Sequence, residues 1–374
     1  MALSFAVEDK GILPDRMIAQ LAREGGILPA VQFAPDQIQP ASLDLRLGDV
    51  AYRVRASFLP GRTTVAQRID ELKLHEFSLS DGAVLETGCV YIVPLLESLA
   101  LPDDISAAAN PKSSTGRLDV FTRVIADELR GFDRIEAGYH GPLYAEISPR
   151  TFPMLVREGS RLSQIRFRHG QALLGAEALR ALHARERLVD VDNADVSEGV
   201  AVSVDLSGAL APAHAGGAGG IVGYRAKRHT GMIDVERRAG YAILDFWEPI
   251  AARADKSLIL DPNEFYILAS KEAVQVPPDY AAEMVPFDPL VGEFRVHYAG
   301  FFDPGFGYAG AGGTGARAVL EVRSREVPFV LEHGQIVGRL VYEKMLARPD
   351  TLYGQGIGSN YQAQSLKLSK HFKG

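Results

Sequence analysis

Short segments in which apolar and polar residues alternate, separated by glycine and proline, run through most of the chain. In residues 42–47, for example, leucine alternates with polar residues, so the leucines fall on one face of a strand. Helical spacing is rare. Residues 14–22 followed by Gly25-Gly26 predict one short helix with a glycine stop, and residues 171–186 predict the longest one. The pattern therefore predicts a mainly β protein with a few short helices.

Part of this pattern occurs twice. Identical residues recur at a constant separation of 175 positions. The pairs are Tyr91 and Tyr266, Ile92 and Ile267, Glu97 and Glu272, Pro102 and Pro277, Glu146 and Glu321, Arg150 and Arg325, and Pro153 and Pro328. Upstream, Ser42-Leu43-Asp44-Leu45 matches Ser203-Val204-Asp205-Leu206 at another separation, as loop insertions allow. We expect two copies of one β domain, residues 1–170 and 200–374, joined by a helix and acidic linker over residues 171–199.

Composition narrows the class of protein. A length of 374 residues fits two domains, and 47% hydrophobic with 23% charged residues is typical of a folded globular protein. The net charge of −7 argues against a nucleic-acid coat. No apolar run reaches the roughly 18 residues of a membrane-spanning helix, and charges interrupt the N-terminus. The single cysteine, Cys89, excludes an intrachain disulfide and fits a reducing compartment. We expect a cytoplasmic protein without membrane or nucleic-acid partners.

One segment combines hydroxyl groups with cations. Its residues are Lys112, Ser113, Ser114, Thr115, Gly116 and Arg117. Hydroxyl and backbone N–H donors at close range, with a guanidinium fork beside them, suit a phosphate chain. A polar turn that caps a helix is the other interpretation, and the segment alone does not decide between them.

Two glutamates interrupt apolar strand segments. Glu146 lies among Tyr144, Ala145 and Ile147, and Glu321 lies between leucine and valine. A carboxylate on a half-buried strand has a raised pKa, which suits a general base or proton shuttle. A solvent-facing glutamate on an alternating strand is the alternative.

Each glutamate follows a turn. Residues 134–146, from Arg134 to Glu146, and residues 300–307, with Asp303-Pro304-Gly305-Phe306, are each interpreted as a β-hairpin with an aromatic residue near its tip. The tail, with Tyr361 and Gln364, carries side chains that could contact a base, although a disordered terminus is the ordinary expectation.

Together these segments resemble the deoxycytidine triphosphate deaminases of the trimeric deoxyuridine triphosphatase-like superfamily. The resemblance rests on five segments in the family's order. They are Leu13-Pro14-Asp15-Arg16, Ala41-Ser42-Leu43-Asp44-Leu45-Arg46-Leu47-Gly48, Ser113-Ser114-Thr115-Gly116-Arg117-Leu118, Arg134-Ile135-Glu136-Ala137-Gly138-Tyr139-His140-Gly141, and the strand that ends at Glu146. The tandem length is similar to the long bacterial form of the family.

The resemblance implies a fold and a reaction. The fold would be a distorted jelly-roll or β-barrel, and the reaction would be hydrolytic deamination of dCTP to dUTP and ammonia, in the metabolism that leads to dUMP and dTTP. It implies no zinc, which agrees with the single cysteine, because zinc deaminases need a His/Cys/Cys or Cys₃ set. Mg²⁺ would accompany the triphosphate, and no metal would be held by the protein alone.

The two halves differ in which family segments they keep. The first half keeps Ser113, Ser114 and Arg117, but extra residues before Arg134 are expected to disrupt its base-facing strand. The second half has lost this motif and has Phe301 where the first half has Arg134. We therefore expect a composite site, in which the first half, with Lys112, holds the phosphates. The remaining contacts implied by the resemblance are Ala299 at the base, Glu321 as catalyst with Glu146 as the other candidate, Asp303 and Phe306 at the sugar, and Tyr361 and Gln364 over the nucleotide.

Two other functions stay open. One is a dUTP pyrophosphatase, or a bifunctional enzyme, in which Asp303 activates water against the α-phosphate with Mg²⁺. The strand glutamates favour deamination, because the pyrophosphatase needs no carboxylate there. The other is a nucleotide-binding regulator without catalysis, which the lost phosphate motif of the second half supports. The sequence also leaves open whether dTTP inhibits and whether the chain forms a trimer or a dimer.

Overall fold

The computed structural model describes residues 9–209, 220–286, 294–297, 300–324, 326–354 and 365–373. The chain divides into two compact units. The first holds the N-terminal part up to Ala172 together with Gly231–Arg238 and Lys344–Thr351, and the second holds the rest. Within the described ranges, no helix combines the length and the apolar character that a membrane crossing requires.

Strands are the main regular elements of residues 9–170. The strands are β1 (Gly11–Ile12), β2 (Ile27–Pro29), β3 (Ile38–Gln39), β4 (Ser42–Leu45), β5 (Val50–Val54), β6 (Lys73–Ser78), β7 (Ala83–Leu85), β8 (Val90–Ala100), β9 (Ile105–Pro111), β10 (Val120–Ala126), β11 (Arg134–Ile135), β12 (His140–Pro149), β13 (Met154–Val156) and β14 (Ser163–His169). The helices are α1 (Asp15–Arg23), α2 (Val65–Leu72) and α3 (Ser113–Gly116).

The remaining residues continue this pattern. The strands are β15 (Val200–Ser203), β16 (Ile221–Ala226), β17 (Ile233–Asp234), β18 (Trp247–Ala251), β19 (Ser257–Leu260), β20 (Phe265–Val274), β21 (Tyr280–Pro286), β22 (Phe294–His297), β23 (Phe301–Phe302), β24 (Ala316–Ser324), β25 (Phe329–Glu332) and β26 (Ile336–Lys344). The helices are α4 (Ala176–Glu186) and α5 (Ile243–Phe246), with a 3-10 turn at Ala309–Ala311.

Two antiparallel sheets build the first unit. Their strand orders are β11-β9-β14-β4-β3, with β1 added on β14, and β10-β12-β8-β5-β6, with β2 added on β8. Hydrophobic side chains of both sheets share one core, in which Leu43, Ile165 and Leu143 are fully buried. Helix α1 adds Ile18 and Leu21 to this core, and burial of that apolar surface stabilises the unit.

The second unit repeats this architecture. Its sheets have the orders β15-β26-β21-β23 and β18-β16-β20-β24-β22. Strand for strand, these orders match β4-β14-β9-β11 and β6-β5-β8-β12-β10 of the first unit. The prediction of a mainly β chain with two copies of one fold is therefore confirmed.

The predicted helices are confirmed with one change of boundary. Helix α1 occupies the predicted place, and Gly25 after it has a positive φ of 82°. The long helix begins at Ala176, because its N-cap Gly175 has an extended backbone and Leu173 forms a bridge with Glu343. The acidic segment that follows α4 lies against β20. The backbone N–H of Asp190 donates to the carbonyl of Ala273 at 3.1 Å, and the Asp190 carboxylate accepts a hydrogen bond from the backbone N–H of Ala273 at 2.8 Å.

The predicted hairpins are wrong in both halves. In the described part of the chain, β11 pairs with β9 while β12 pairs with β8 and β10. Likewise β23 pairs with β21 while β24 pairs with β20 and β22. Each turn therefore carries the chain from one sheet to the other. A glycine turn, such as the one at Gly138 with φ of 74°, reverses the chain locally but does not decide which strand the next segment joins.

Strand β10 also differs from expectation. It pairs with β12 along its whole length, so the extra residues before Arg134 do not disrupt it. They form a loop, residues 127–133, that folds back on the strand. The carboxylate of Asp133 accepts a hydrogen bond from the backbone N–H of Val124 at 2.7 Å, which anchors the loop.

A small third sheet in the first unit uses a strand from later in the chain. Strand β13 pairs with β7 on one side and, in parallel, with β17 on the other. Arg157 after β13 makes two hydrogen bonds with the Asp234 carboxylate, at 2.7 and 2.9 Å. Met345 and Leu346 likewise pair with Ile12. The first unit is therefore completed by segments that follow residue 230.

Candidate active site

A row of residues in register crosses the sheet β6-β5-β8-β12-β10 of the first unit and the matching sheet β18-β16-β20-β24-β22 of the second. In the first unit the row contains, strand by strand, Tyr52, Ile92, Glu146 and Arg123. In the second unit it contains Tyr224, Ile267, Glu321 and His297. The two candidate carboxylates thus hold the same position in the two copies, and the residue paired with them differs.

Glu146 is enclosed in the first unit. Only 1% of it is exposed, so the alternative of a solvent-facing residue is wrong. It lies on the face of its sheet that carries a small hydrophobic cluster, in which Ile92 and Ile125 pack beneath α2. Its Oε1 accepts hydrogen bonds from Arg123 Nη2 at 2.6 Å and Nε at 3.2 Å. Its Oε2 is buried without a hydrogen-bond partner among the described residues.

The Arg123 guanidinium fills the space beside this carboxylate. Its Cζ lies 3.4 Å from the ring centroid of Phe132 and 4.4 Å from that of Phe121. Its Nη2 also donates to Ser57 Oγ at 3.0 Å. Cation–π contact and charge-assisted hydrogen bonds therefore hold one planar cation against Glu146. Sequence reasoning missed Arg123, because its partner is 23 positions away on the next strand.

Glu321 is also buried, with 6% of the residue exposed. Its neighbour in the row, Ile267, is fully buried, and the next residue, Tyr224, is 8% exposed. Burial raises the pKa of the Tyr224 phenol, which marks this end of the row as poorly hydrated. A solvent-facing glutamate is therefore wrong here too, and the carboxylate lies where bulk water has little access.

The turn before β24 carries two predicted residues. Asp303 is 9% exposed and Phe306 is 5% exposed. The Phe306 ring packs edge-on against Phe302, with centroids 5.0 Å apart, and against Tyr353 at 5.7 Å. The aromatic ring is therefore fixed on both sides.

Backbone hydrogen bonds fix the same turn. The N–H of Phe306 donates to the carbonyl of Asp303 at 3.1 Å. The N–H of Gly305 donates to the carbonyl of Val276 at 2.9 Å, and the N–H of Val276 donates to the carbonyl of Phe306 at 2.8 Å. Gly305 has a φ of 98°, a conformation that favours glycine.

The predicted phosphate segment is itself a helical turn. Ser113 and Ser114 open α3, which connects β9 of one sheet to β10 of the other. Its N-cap, Lys112, makes no side-chain cap hydrogen bond. Ser114 and Arg117 are buried, at 7% and 3% exposure, while Lys112 and Ser113 are half-buried.

Lys112 has an internal counter-charge. Its Nζ forms an ion pair with Asp44, which is 2% exposed. Arg161 Nη1 lies 3.6 Å from the same carboxylate, and its Nη2 lies 3.0 Å from Asp36. The hydrogen bond from Arg161 lowers the pKa of the Asp36 carboxyl. The sequence predicted Asp44 as part of a strand motif but not as the partner of Lys112.

Arg134 lies on a different sheet from Glu146. It is exposed on β11, opposite Ala108. In the second unit Phe301 holds the corresponding position, opposite Glu283. The correspondence of Arg134 with Phe301 is therefore confirmed.

Three predicted residues, Ala299, Tyr361 and Gln364, lie outside the described residues. The end of the tail is well packed. Phe372 is 5% exposed, and its ring lies 5.9 Å from that of Trp247, which is fully buried as a packing residue. The structure describes only Tyr353 and Gly354 of the segment for which disorder was the ordinary expectation, residues 353–364. Within the described ranges, no group of three or more His, Cys, Asp or Glu side chains is placed to hold a metal ion.

Several known proteins are similar to this chain. A crystal structure of 2′-deoxycytidine 5′-triphosphate deaminase from Agrobacterium tumefaciens is 62% identical, with a TM-score of 0.85 over 92% of this chain and 100% of the other. A dCTP deaminase of Haloarcula marismortui is 29% identical over 42% of this chain and 79% of its own length. A "dCTP deaminase, dUMP-forming" of Methanoculleus marisnigri is 33% identical over 42% of this chain and 79% of its own.

The paired sheets, with a buried glutamate at the same sheet position in both units, define a tandem, mainly β protein with one carboxylate position in two copies. The N-terminal domain of 2′-deoxycytidine 5′-triphosphate deaminase matches residues 9–171, and its C-terminal domain matches residues 175–372. The chain belongs to the 2′-deoxycytidine 5′-triphosphate deaminase family.

Proposed function

We propose that this protein deaminates dCTP by hydrolysis, giving dUTP and ammonia, and so supplies precursors of dUMP and dTTP. The observation that carries the proposal is the buried strand glutamate that recurs at one sheet position in both units. Family membership supports the choice of substrate. The Agrobacterium tumefaciens protein, which is similar to this chain over its whole length, is named a 2′-deoxycytidine 5′-triphosphate deaminase.

Glu321 is the catalyst in this proposal. Its carboxylate takes a proton from a water molecule as the oxygen attacks C4 of cytosine. The carboxylate then gives that proton to N3 or to the amine, and the hydroxyl group formed on C4 supplies its own proton to the other of these two nitrogens. The C4–N4 bond breaks as the C4=O bond forms, and ammonia leaves. A carboxylate sheltered from bulk water suits this work, because its interactions are less screened than in solution. The mechanism requires no zinc.

Glu146 is the less suitable of the two glutamates. Both hydrogen bonds on its Oε1 come from Arg123, and the residue is 1% exposed. A guanidinium stays protonated at any working pH, so it holds this carboxylate as a permanent ion pair. We therefore assign deamination to the second copy.

The remaining predicted residues bind the ends of the nucleotide. Ser113, Ser114 and Arg117 hold the phosphates by hydroxyl and guanidinium donors, with Lys112 beside them. On the other side of the nucleotide, Asp303 faces the deoxyribose and Phe306 packs on the sugar, leaving no room for a 2′-hydroxyl. The rigid packing of the Phe306 ring supports this last role, because a fixed ring can exclude an added oxygen. We keep Ala299 for the base, Tyr361 and Gln364 for the closing tail, and Arg134 as a further cationic contact.

We also propose that Mg²⁺ comes with the triphosphate. Mg²⁺ is commonly bound by substrate phosphates and water with few protein ligands. Titration of EDTA against the rate of dCTP turnover, with added Mg²⁺ restoring it, tests this step.

Release of ammonia from dCTP, followed beside chromatography of the nucleotides, tests the function. Glu321→Gln is expected to abolish turnover and leave dCTP binding intact, whereas Ser113→Ala is expected to raise KM. The matched control is Glu248→Gln on β18 of the same sheet, an exposed glutamate that is expected to leave turnover unchanged. Full activity of Glu321→Gln with loss in Glu146→Gln would assign the chemistry to the first copy. Binding of dCTP without any turnover by the unaltered protein would make it a regulator instead.

A second candidate is a bifunctional enzyme that also cleaves dUTP to dUMP and pyrophosphate. The relatives from Methanoculleus marisnigri and Rhodococcus opacus are both named dUMP-forming, which favours it. In that case Asp303, on its fixed turn, would activate water against the α-phosphate. Ammonia with dUMP as the product, and dUTP accumulation in Asp303→Asn, are the expected results. Accumulation of dUTP by the unaltered protein excludes it.

A further inference from the structure

We propose that Arg123 is a built-in occupant of a ligand pocket in the first unit, and that this pocket accepts a free planar amidinium ion once the arginine side chain is removed. The comparison with the second unit rests on the proposed function, because it treats Glu321 as the residue that meets the base. The pocket itself is defined by contacts within the first unit alone.

The groups around the guanidinium are those that a planar cation requires. Glu146 supplies a carboxylate edge, with Nη2 at 2.6 Å and Nε at 3.2 Å from Oε1. Phe132 supplies a ring face, 3.4 Å from Cζ to the ring centroid. Ser57 supplies a hydroxyl at 3.0 Å. A carboxylate, an aromatic ring and a hydroxyl around one planar group have the composition of a ligand-binding site. In this protein a side chain of the same polypeptide occupies that site.

The occupant resembles part of the proposed substrate. A guanidinium and an N3-protonated cytosine both present an N–C–N amidinium edge, and a carboxylate pairs with such an edge through its oxygens. The position in the sheet is the one that Glu321 holds in the second unit. Arg123 thus places on Glu146 the kind of group that the second copy is proposed to meet in its substrate.

Two further features show that the first unit has adapted to this occupant. Loop 127–133, which carries Phe132, has no counterpart in the second copy. β10 and β22 hold equivalent register positions opposite the glutamate, but the chain from that position to β11 is seven residues longer than the chain from that position to β23. The register position of Arg123 is held by His297 in the second unit.

The consequence for the natural protein is one base-binding pocket in each chain. The first copy keeps its buried glutamate but closes it with a cation that cannot be deprotonated. Glu146 is therefore a structural residue that keeps Arg123 in place.

Thermal unfolding of the whole protein with added methylguanidinium tests the proposal. Arg123→Ala is expected to lower Tm, because it leaves the Glu146 carboxylate buried without its partner. Methylguanidinium at millimolar concentration is expected to raise that Tm by several degrees in a saturable way, because a ligand that binds only the folded state stabilises it. The double variant Arg123→Ala/Glu146→Gln is expected to give no such rise.

The matched control is Arg225→Ala. Arg225 pairs with Glu248 at 2.6 Å in the second unit, but both side chains are exposed, at 38% and 52%. Methylguanidinium is expected to leave the Tm of this variant unchanged. An equal response in both variants, or none in Arg123→Ala, overturns the proposal.

A second measurement needs no change in the first unit. Calorimetric titration of Glu321→Gln with dCTP is expected to give one nucleotide bound per chain. Two nucleotides per chain overturn the closed pocket even if Arg123→Ala does not fold. Retained turnover in Glu321→Gln contradicts the proposed function instead, and the methylguanidinium test remains independent of that result.

Discussion

Gly305→Ala tests whether the turn that carries Asp303 and Phe306 is fixed by backbone geometry. Gly305 has a φ of 98°, and a Cβ added to it would lie 2.9 Å from both Leu352 Cβ and Tyr353 N. It would also lie 3.0 Å from Tyr353 O. Two of these three neighbours are backbone atoms, which cannot rotate away, so the substitution must shift either the turn or the start of the tail.

The expected cost has two parts. An alanine in the left-handed region costs about 1–2 kcal/mol. Overpacking against fixed neighbours adds about 1–3 kcal/mol. Gly312 separates the two parts, because it has a φ of 84° but nothing within 4 Å of an added Cβ. Gly312→Ala is therefore expected to cost only the first part, and Gly305→Ala about 2–5 kcal/mol in total.

Denaturant unfolding of both variants measures this difference, and dCTP turnover measures its effect on the site. Gly305→Ala is expected to unfold at lower denaturant than Gly312→Ala. It is also expected to lose more of its kcat/KM, because Asp303 and Phe306 move with the turn. Equal destabilisation by the two substitutions would refute the argument that contacts with Leu352 and Tyr353 hold the turn.

Three further predictions concern ionisable groups. Arg46→Ala should lower the free energy of unfolding by about 3–5 kcal/mol in denaturant unfolding, because the fully buried Glu97, whose carboxylate lies 2.7 Å from Arg46 Nε, loses its charged partner. A loss under about 1 kcal/mol, the range of an exposed ion pair, contradicts this. A hydrogen bond from Arg339 lowers the pKa of Asp195, so its stabilisation is present above about pH 4 and is lost as pH falls further. In Asp195→Asn, Tm should therefore fall less steeply as the pH is lowered, and an unchanged dependence of Tm on pH would refute this prediction. Burial raises the pKa of Tyr224, so its contribution is present below about pH 10 and is lost as pH rises through the higher value. Tyr224→Phe should make the alkaline fall in Tm shallower, and a steeper fall would contradict this.

The repeat made the fold predictable. A separation of 175 positions that holds from Tyr91 to Pro153 requires the intervening elements to have matching lengths in both copies, apart from insertions that compensate. The sheet orders of the two units show that correspondence directly. The turns could not be assigned in the same way, because local turn residues do not specify which strand the following segment joins.

Within the candidate site, the strand glutamates were predictable and their partners were not. Glu146 and Glu321 stand out as charges in apolar strands, a purely local signal. Arg123 and Asp44 act through pairing across strands, and a register shift of one residue would turn each side chain to the opposite face. Only the register brings Arg123 to Glu146 and Asp44 to the neighbourhood of Lys112.

The strand β17 bears on how such a chain can change over time. The first unit takes Ile233–Asp234 into a sheet and uses Met345 and Leu346 beside Ile12. A fragment ending before residue 230 therefore lacks part of its own structure. The first half is therefore not a separable module: a gene that encoded residues 1–230 alone would omit strands that its own unit uses.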